Sequence, residues 1–214
     1  PLYHRDAKEP EYLNKTRALE LGDIPTLADP QQALAKLLGW PSIASKNWVY
    51  RQYDHMVRAG TAINPGSDAA VIRGKADSYP PLQVGEPQDE IPDKNLAMSD
   101  DCYGVHVYLD PCEGSKATVA EAARNLVCSG ARPLGATDNL NFGNAHNPEL
   151  FWQLKESVRG LAEACEVFGT PVTGGNVSLY NLTDRCLINV DMDDGCVRAE
   201  FFWIIRDPIV ESRP

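Results

Sequence analysis

The run from Asn147 to Gly169 constrains this chain more than any other feature. Asn147, Pro148 and Glu149 form a helix start, with a capping side chain followed by a residue whose φ is already helical. Leu150, Leu154, Val158, Leu161, Cys165 and Phe168 then recur at helical spacing on one face, and Gly169 is the stop. An apolar face of that length has to be covered by a second layer of structure. The chain passes from it directly into "TPVTGGNVS", a short apolar run closed by two glycines.

Other segments repeat this alternation of helical and extended patterns. "KATVAEAARNLVCSG" predicts a helix closed by Gly130, its alanines permitting close packing. "DPQQALAKLLGW" predicts a short helix with Asp29 as cap, Pro30 at its first position and Gly39 as stop. The apolar spacing of Trp48, Val49, Tyr53, Met56 and Val57 predicts a further amphipathic helix. Strands are expected after the turn at Pro65-Gly66, over "NLAMS", and over "GVHVYL" with Val105, Val107 and Leu109 on one face. "ARPLGATDN" predicts a short strand ending in the polar cluster Asp138, Asn139, Asn141 and Asn144. The fold class expected is α/β (α+β), a mixed sheet covered by helices, with the strand order open.

Residues 1–45 read as a linker with a short helix, 46–181 as the main domain with an exposed insertion near 74–94, and 182–214 as a separate tail. The insertion is rich in prolines and acidic residues without periodicity. In the tail, "CLINV" and "CVRAEFFWII" joined by Asp-Asp-Gly suggest a hairpin.

A net charge of −10 and the absence of any long Lys/Arg run argue against nucleic acid and anionic membrane surfaces as partners. No apolar stretch has the length of a membrane span and no signal pattern opens the chain, so a cytoplasmic location is expected. The chain starts at Pro1, which suggests a fragment of something longer. Six cysteines and four histidines are scattered without metal-ligand spacing, and the thiols are expected to be reduced or buried.

The chemistry concentrates in "GGNVS". Gly174 and Gly175 permit positive φ and a close approach of backbone N–H groups to an anion such as phosphate. Asn176 offers a carbonyl oxygen suited to Mg²⁺, and Ser178 a hydroxyl able to donate to a phosphate or substrate oxygen. The plainer alternative is a turn in which Asn176 bonds its own backbone. Asp138 has the same two readings, as a contact to a metal-bound nucleotide or as a loop residue. Asn139, Asn141 and Asn144 either organise the site or tie a tight loop. Asp68 in "PGSDAAV" and Asp101 in "SDDCYG" are further carboxylates that suit Mg²⁺ or a turn.

"YDHMV", "PGSDAAV", "YLDP", "VAEAARNLVCSGARPLGATDNLNFGN", "PELFWQL" and "TPVTGGNVSLYN" occur in this order in phosphoribosylformylglycinamidine synthase, and the chain closely resembles the synthetase subunit of that family over most of residues 1–181. The resemblance implies an internal segment holding the second ATP-binding domain, of the aminoimidazole ribonucleotide synthetase N-terminal type. It further implies an ATP- and Mg²⁺-dependent ligase of purine (IMP) biosynthesis that converts formylglycinamide ribonucleotide to the amidine, using ammonia from a glutaminase subunit. Other implied partners are the remaining half of the synthetase and a small auxiliary subunit.

By the same resemblance Asp138 and Gly175 contact ATP, Asn176 binds Mg²⁺ and Ser178 contacts the ribonucleotide. The family's catalytic histidines lie in the other half, so no catalytic residue is expected here. Tyr103 and Val105 stand where the family usually has Asn and Arg, and no Pro-Thr-Pro passage follows Asn181. A non-catalytic nucleotide-binding or assembly module is the alternative from another class. A change of substrate, as in the related aminoimidazole ribonucleotide or selenophosphate synthetases, is opposed by the long "TDNLNFGN" and "GGNVSLYN" matches.

Overall fold

A computed structural model describes residues 4–74, 94–102 and 104–179. Most of the 74–94 insertion, Tyr103, Asn181 and the 182–214 tail lie outside the described residues. The elements run α1 (Tyr12–Arg17), α2 (Pro30–Leu38), α3 (Asn47–Tyr50), β1 (Thr61–Ile63), β2 (Ala70–Gly74), β3 (Lys94–Met98), α4 (Gly104–Leu109), α5 (Pro111–Cys128), β4 (Ala136–Phe142), α6 (Pro148–Phe168) and β5 (Val172–Leu179).

β1, β2 and β3 form an antiparallel sheet in that order, while β4 and β5 pair in parallel. Parallel neighbours cannot be joined by a tight turn and need a crossover element. α6 is that crossover. Its ends match the sequence signals: Asn147 Oδ1 accepts from Glu149 N at 2.9 Å, Pro148 is the first residue, and left-handed Gly169 (φ 64°) ends it. Beyond the stop, Thr170 N donates to Cys165 O at 2.9 Å and carries the chain back toward the sheet.

One core joins both sheets to the helices. It takes Val71 and Ala97 from the antiparallel sheet, Val119, Ala122 and Leu126 from α5, Ala136, Leu140 and Phe142 from β4, and Leu161, Ala164 and Cys165 from α6. α5 and α6 cross almost backbone to backbone. A Cβ placed on Gly160 would lie 2.9 Å from the carbonyl carbon of Cys112, closer than real side-chain carbons come. At the rim of this crossing, Lys116 of α5 bridges Glu113 at 2.9 Å and Glu163 of α6 at 2.8 Å, and Arg159 also reaches Glu163 at 2.8 Å. These pairs are solvent-facing and set orientation more than stability.

The N-terminal segment is tied to this body. Leu13 is fully buried, Tyr12 stacks on Tyr108 with ring centroids 4.3 Å apart, and the Tyr12 hydroxyl donates to Tyr108 O at 2.7 Å while accepting from Gln153 Nε2 at 3.1 Å.

Two expected elements are corrected. "GVHVYL" is the helix α4, with Val107 buried and Leu109 exposed. Six residues are too few to separate a period of two from one of 3.6, and Asp110 N donating to His106 O at 3.0 Å continues the helical turn up to the cap of α5. The helix expected over 45–57 is reduced to α3, with Trp48, Tyr53 and Met56 exposed. There Asp54 Oδ1 accepts from Met56 N at 2.8 Å, a local bond that competes with helical pairing.

The α5–α6 crossing gives a stability prediction. Gly160→Ala is expected to lower the unfolding free energy by roughly 1–3 kcal/mol, the usual cost of overpacking. Val158→Ala, on a half-exposed position of the same helix, is expected to change it by about 1 kcal/mol or less. Urea unfolding of the two variants beside the parent chain checks this, and equal effects would refute a backbone-contact role for Gly160.

Candidate functional site

The residues singled out in "TDNLNFGN" and "GGNVS" face each other across the parallel pair. The register matches Thr137 with Gly174, Asp138 with Gly175, Asn139 with Asn176, Leu140 with Val177, Asn141 with Ser178 and Phe142 with Leu179. "GGNVS" is therefore neither a loop nor a turn but the middle of β5, and Asp138, Asn139 and Asn141 lie within β4 rather than at its end, with Asn144 just beyond it. Tertiary pairing overrides the local turn preference of Gly and Asn here.

Alternation along the strands sorts these residues onto two faces. Thr137, Asn139, Asn141, Gly174, Asn176 and Ser178 share one face. Ala136, Asp138, Leu140 and Phe142 belong to the other, where Ala136, Leu140 and Phe142 enter the helix-covered core.

On the first face the polar groups bond to one another. Asn141 Nδ2 donates to Asn139 Oδ1 at 3.2 Å and to Asn139 O at 3.3 Å. Asn176 Nδ2 donates to Asn139 Oδ1 at 3.4 Å and to Ser178 Oγ at 3.2 Å. No described donor is recorded at Asn176 Oδ1, which leaves a hard carbonyl oxygen of the kind Mg²⁺ accepts alongside water and phosphate oxygens. No cluster of three or more His, Cys, Asp and Glu able to hold a metal occurs among the described residues. Asn176 Oδ1 has the chemistry of a single cation ligand, and the described residues add no carboxylate or histidine cluster to it.

On the second face Asp138 lies against Gly175. A Cβ at Gly175 would fall 2.8 Å from Asp138 Cγ and closer still to its oxygens, whereas one at Gly174 would meet nothing. Neither glycine has positive φ, so the sequence-based reason for them is corrected. Gly175 is required by a close approach. Burial pushes the Asp138 carboxyl above the ordinary carboxylate range, opposed in part by a backbone hydrogen bond.

The remaining candidates lie apart from this pair of faces. Asn144 Oδ1 accepts from His146 N at 2.9 Å in the turn that leads to α6. Asp68 and Asp101 line a cleft of about 570 Å³ beside β1, β2 and β3, together with His55, Ser67 and Ser99. Asp101 is buried and engaged: Ser99 Oγ donates to one oxygen and Asn125 Nδ2 to the other at 2.5 Å. Asn125 was missed in the sequence, where it is only one amide in an alanine-rich helix. Cys112 and Cys165 are buried and their thiols are pushed up by desolvation, which opposes a nucleophilic role.

Asp138 makes the stability of the chain depend on pH. Its raised folded pKa means the fold favours the protonated acid, so its contribution is full below the unfolded value of about 4 and is lost as pH rises through the folded value. Asp138→Asn, neutral throughout, is expected to be more stable than the parent at pH 7 and to lose that advantage near pH 4. Urea midpoints at the two pH values check this, and a pH-independent gap would contradict the desolvated carboxyl.

Residues 66–192 match the family model for the N-terminal domain of AIR synthase related proteins. Phosphoribosylformylglycinamidine synthase subunit PurL of Alkaliphilus metalliredigens is 48% identical over 185 residues, covering 86% of this chain and 23% of that protein. The chain thus spans about a quarter of the length of the curated relatives it matches. Among solved structures, PurLQS from Thermotoga maritima gives a TM-score of 0.58 at 26% identity over 76% of this chain and 24% of that one. Thermotoga maritima PurL complexed with AMPPCP gives 0.54 at 26% over 77% and 26%, and the same protein complexed with FGAR gives 0.53 at 26% over 77% and 24%. Sequence match and shared architecture agree: the chain belongs to the AIR synthase related protein family through that family's N-terminal domain, and is similar to part of PurL.

Proposed function

We propose that this chain is the second ATP-binding segment of an ATP- and Mg²⁺-dependent carbon–nitrogen ligase of purine biosynthesis, acting in the cytoplasm on formylglycinamide ribonucleotide. In the reaction, ATP activates the substrate amide oxygen as a phosphate leaving group. Ammonia, released from glutamine by a partner subunit, displaces it at the same carbon to give the amidine. The observation that carries this reading is the register of β4 and β5, which gathers Asn139, Asn141, Asn176 and Ser178 on one open face.

The roles assigned are those the family resemblance implies. Among the described residues β5 pairs along one edge only, so alternate backbone N–H groups on its other edge are available to a phosphate. Gly175 has no side chain to screen its backbone, and Asp138 is its register partner. This pair is assigned to ATP. Asn176 Oδ1 is assigned to Mg²⁺, which when bound draws charge from the phosphate oxygens. The Ser178 hydroxyl, two residues on along the same face, is assigned to the ribonucleotide.

The partners proposed are the remaining half of the synthetase, the glutaminase subunit and the small auxiliary subunit. Two observations support a composite assembly. The chain covers about a quarter of its curated relatives, and Leu34, Leu37, Trp40 and Trp48 are each more than half exposed on the N-terminal segment. The absence of a carboxylate and histidine cluster among the described residues also favours a second reading, a nucleotide-binding or assembly module that is inactive without the other half.

Isothermal titration of ADP and Mg²⁺ tests the site, with the chain alone and with the remaining synthetase half. Asn176→Ala is expected to weaken nucleotide binding about tenfold in Mg²⁺ but little in EDTA, in line with loss of one interaction to a charged group. Ser178→Ala is expected to weaken formylglycinamide ribonucleotide binding about tenfold and Mg²⁺-dependent nucleotide binding by a smaller factor, since its hydroxyl also accepts from Asn176 Nδ2 at 3.2 Å. Equal loss of both ligands in both variants would overturn the assignment. Binding by the chain alone without turnover, unchanged by adding the other half, would favour the second reading.

A further inference from the structure

We infer that Asn139 is a positioning residue for this site: its side-chain carbonyl, held by Asn141, accepts from the Asn176 amide and so helps turn Asn176 Oδ1 outward toward the cation. The inference rests on the assignment of Asn176 proposed above and adds a residue that acts on it. A primary amide has one acceptor oxygen and one two-hydrogen donor, and only the oxygen can serve a metal ion. Which end faces the ligand is decided by what the NH₂ group finds behind it.

Here it finds two acceptors, Asn139 Oδ1 at 3.4 Å and Ser178 Oγ at 3.2 Å. Asn139 would fail in that task if its own amide were free to turn, because its NH₂ would then oppose that of Asn176. Asn141 prevents this by donating from Nδ2 to Asn139 Oδ1 at 3.2 Å and to Asn139 O at 3.3 Å. Both lone pairs of Asn139 Oδ1 are thereby engaged, one from its own strand and one from its neighbour. Asn139 and Asn176 are direct register partners, so the contact is set by strand pairing rather than by a loop.

The neutrality of Asn139 matters as much as its oxygen. An aspartate would accept the same hydrogens but would draw a divalent cation onto itself, whereas an amide orients Asn176 without competing for the ion. Groups that orient a metal ligand typically change affinity by about 10- to 100-fold when removed. The effect expected here lies at the low end, because the longer contact of 3.4 Å is shared with Ser178.

Two measurements on the full 214-residue chain test this. In ¹⁵N-labelled protein, the Asn176 side-chain amide is assigned by its loss in Asn176→Ala, and its two proton signals are expected to move in Asn139→Ala. Mg²⁺-dependent ADP binding, measured with the remaining synthetase half present, is expected to fall about tenfold in Asn139→Ala and to be no weaker in Asn139→Ala/Asn176→Ala than in Asn176→Ala alone. Unmoved amide signals would overturn the inference. So would an Asn139→Ala loss that persists undiminished in the Asn176→Ala background, since Asn139 would then act on the fold and not through Asn176. If Asn176→Ala itself leaves Mg²⁺-dependent binding unchanged, the metal assignment fails and this inference falls with it, an outcome distinct from one in which Asn176 matters and Asn139 does not.

Discussion

Everything at the site depends on the parallel pairing of β4 with β5. Parallel strands have no local way to find their register, because the segment joining them is a whole helix rather than a turn. The register is set by α6: where it starts after the Asn144–Asn147 turn, where Gly169 ends it, and how close it comes to α5. Gly160 permits the close crossing, and the ion pairs of Lys116 and Arg159 with Glu163 lie at its edge. A shift of one residue in this register would exchange the two faces, sending Asn176 and Ser178 toward the core and Gly175 outward. The chemistry of β5 is in that sense a consequence of helix packing.

The two faces of this strand pair then answer to different physics. On the helix side, burial decides: Leu140 and Phe142 are almost fully covered, and Asp138 shares their face under a glycine with no room for a side chain. A carboxyl kept there carries a desolvation cost, a pattern more common at functional positions than at purely structural ones. On the open side, the polar groups satisfy one another and retain one outward carbonyl. Val177, between Asn176 and Ser178, is 56% exposed although it points to the helix side, so the far end of β5 is incompletely covered by the described residues. The proposed composite assembly would cover that end.

How much of this was legible in the sequence varied with the length of the signal. α6 was readable to within a residue at both ends because its cap, its apolar period and its stop all agreed, and Asp29 with Pro30 did the same for the shorter α2, where Gln32 N donates to Asp29 Oδ1 at 2.9 Å. α4 was misread because Val105, Val107 and Leu109 imitate strand alternation over too short a window. The apolar period from Trp48 to Val57 was real, yet a helix needs a layer to pack against and none covers it among the described residues. The candidate residues of "GGNVS" were visible as chemistry, but their placement was not. Whether two glycines stand in a turn or in a strand depends on a partner strand over 30 residues away, and a cross-strand approach such as that of Asp138 to Gly175 leaves no local trace. Likewise, the half-buried bond of Asn125 to Asp101 joins two polar residues that have nothing in common in the sequence.

What the open face lacks is as informative as what it holds. Thr137, Asn139, Asn141, Gly174, Asn176 and Ser178 supply amides, hydroxyls and backbone, with no lysine or arginine among them, on a chain of net charge −10. Neutral donors can orient a polyphosphate, but they cannot neutralise it. For the nucleotide proposed here, the compensating charge would have to arrive with the ligand as a divalent cation, or from basic residues of the proposed partner half. An amide is suited to the first case: it binds the cation through one oxygen without adding a negative charge that would repel the phosphates beside it. The same reasoning explains why the groups behind Asn176 are amide and hydroxyl rather than carboxylate. On the proposed reading, such a face holds a nucleotide only when metal and phosphates bind together.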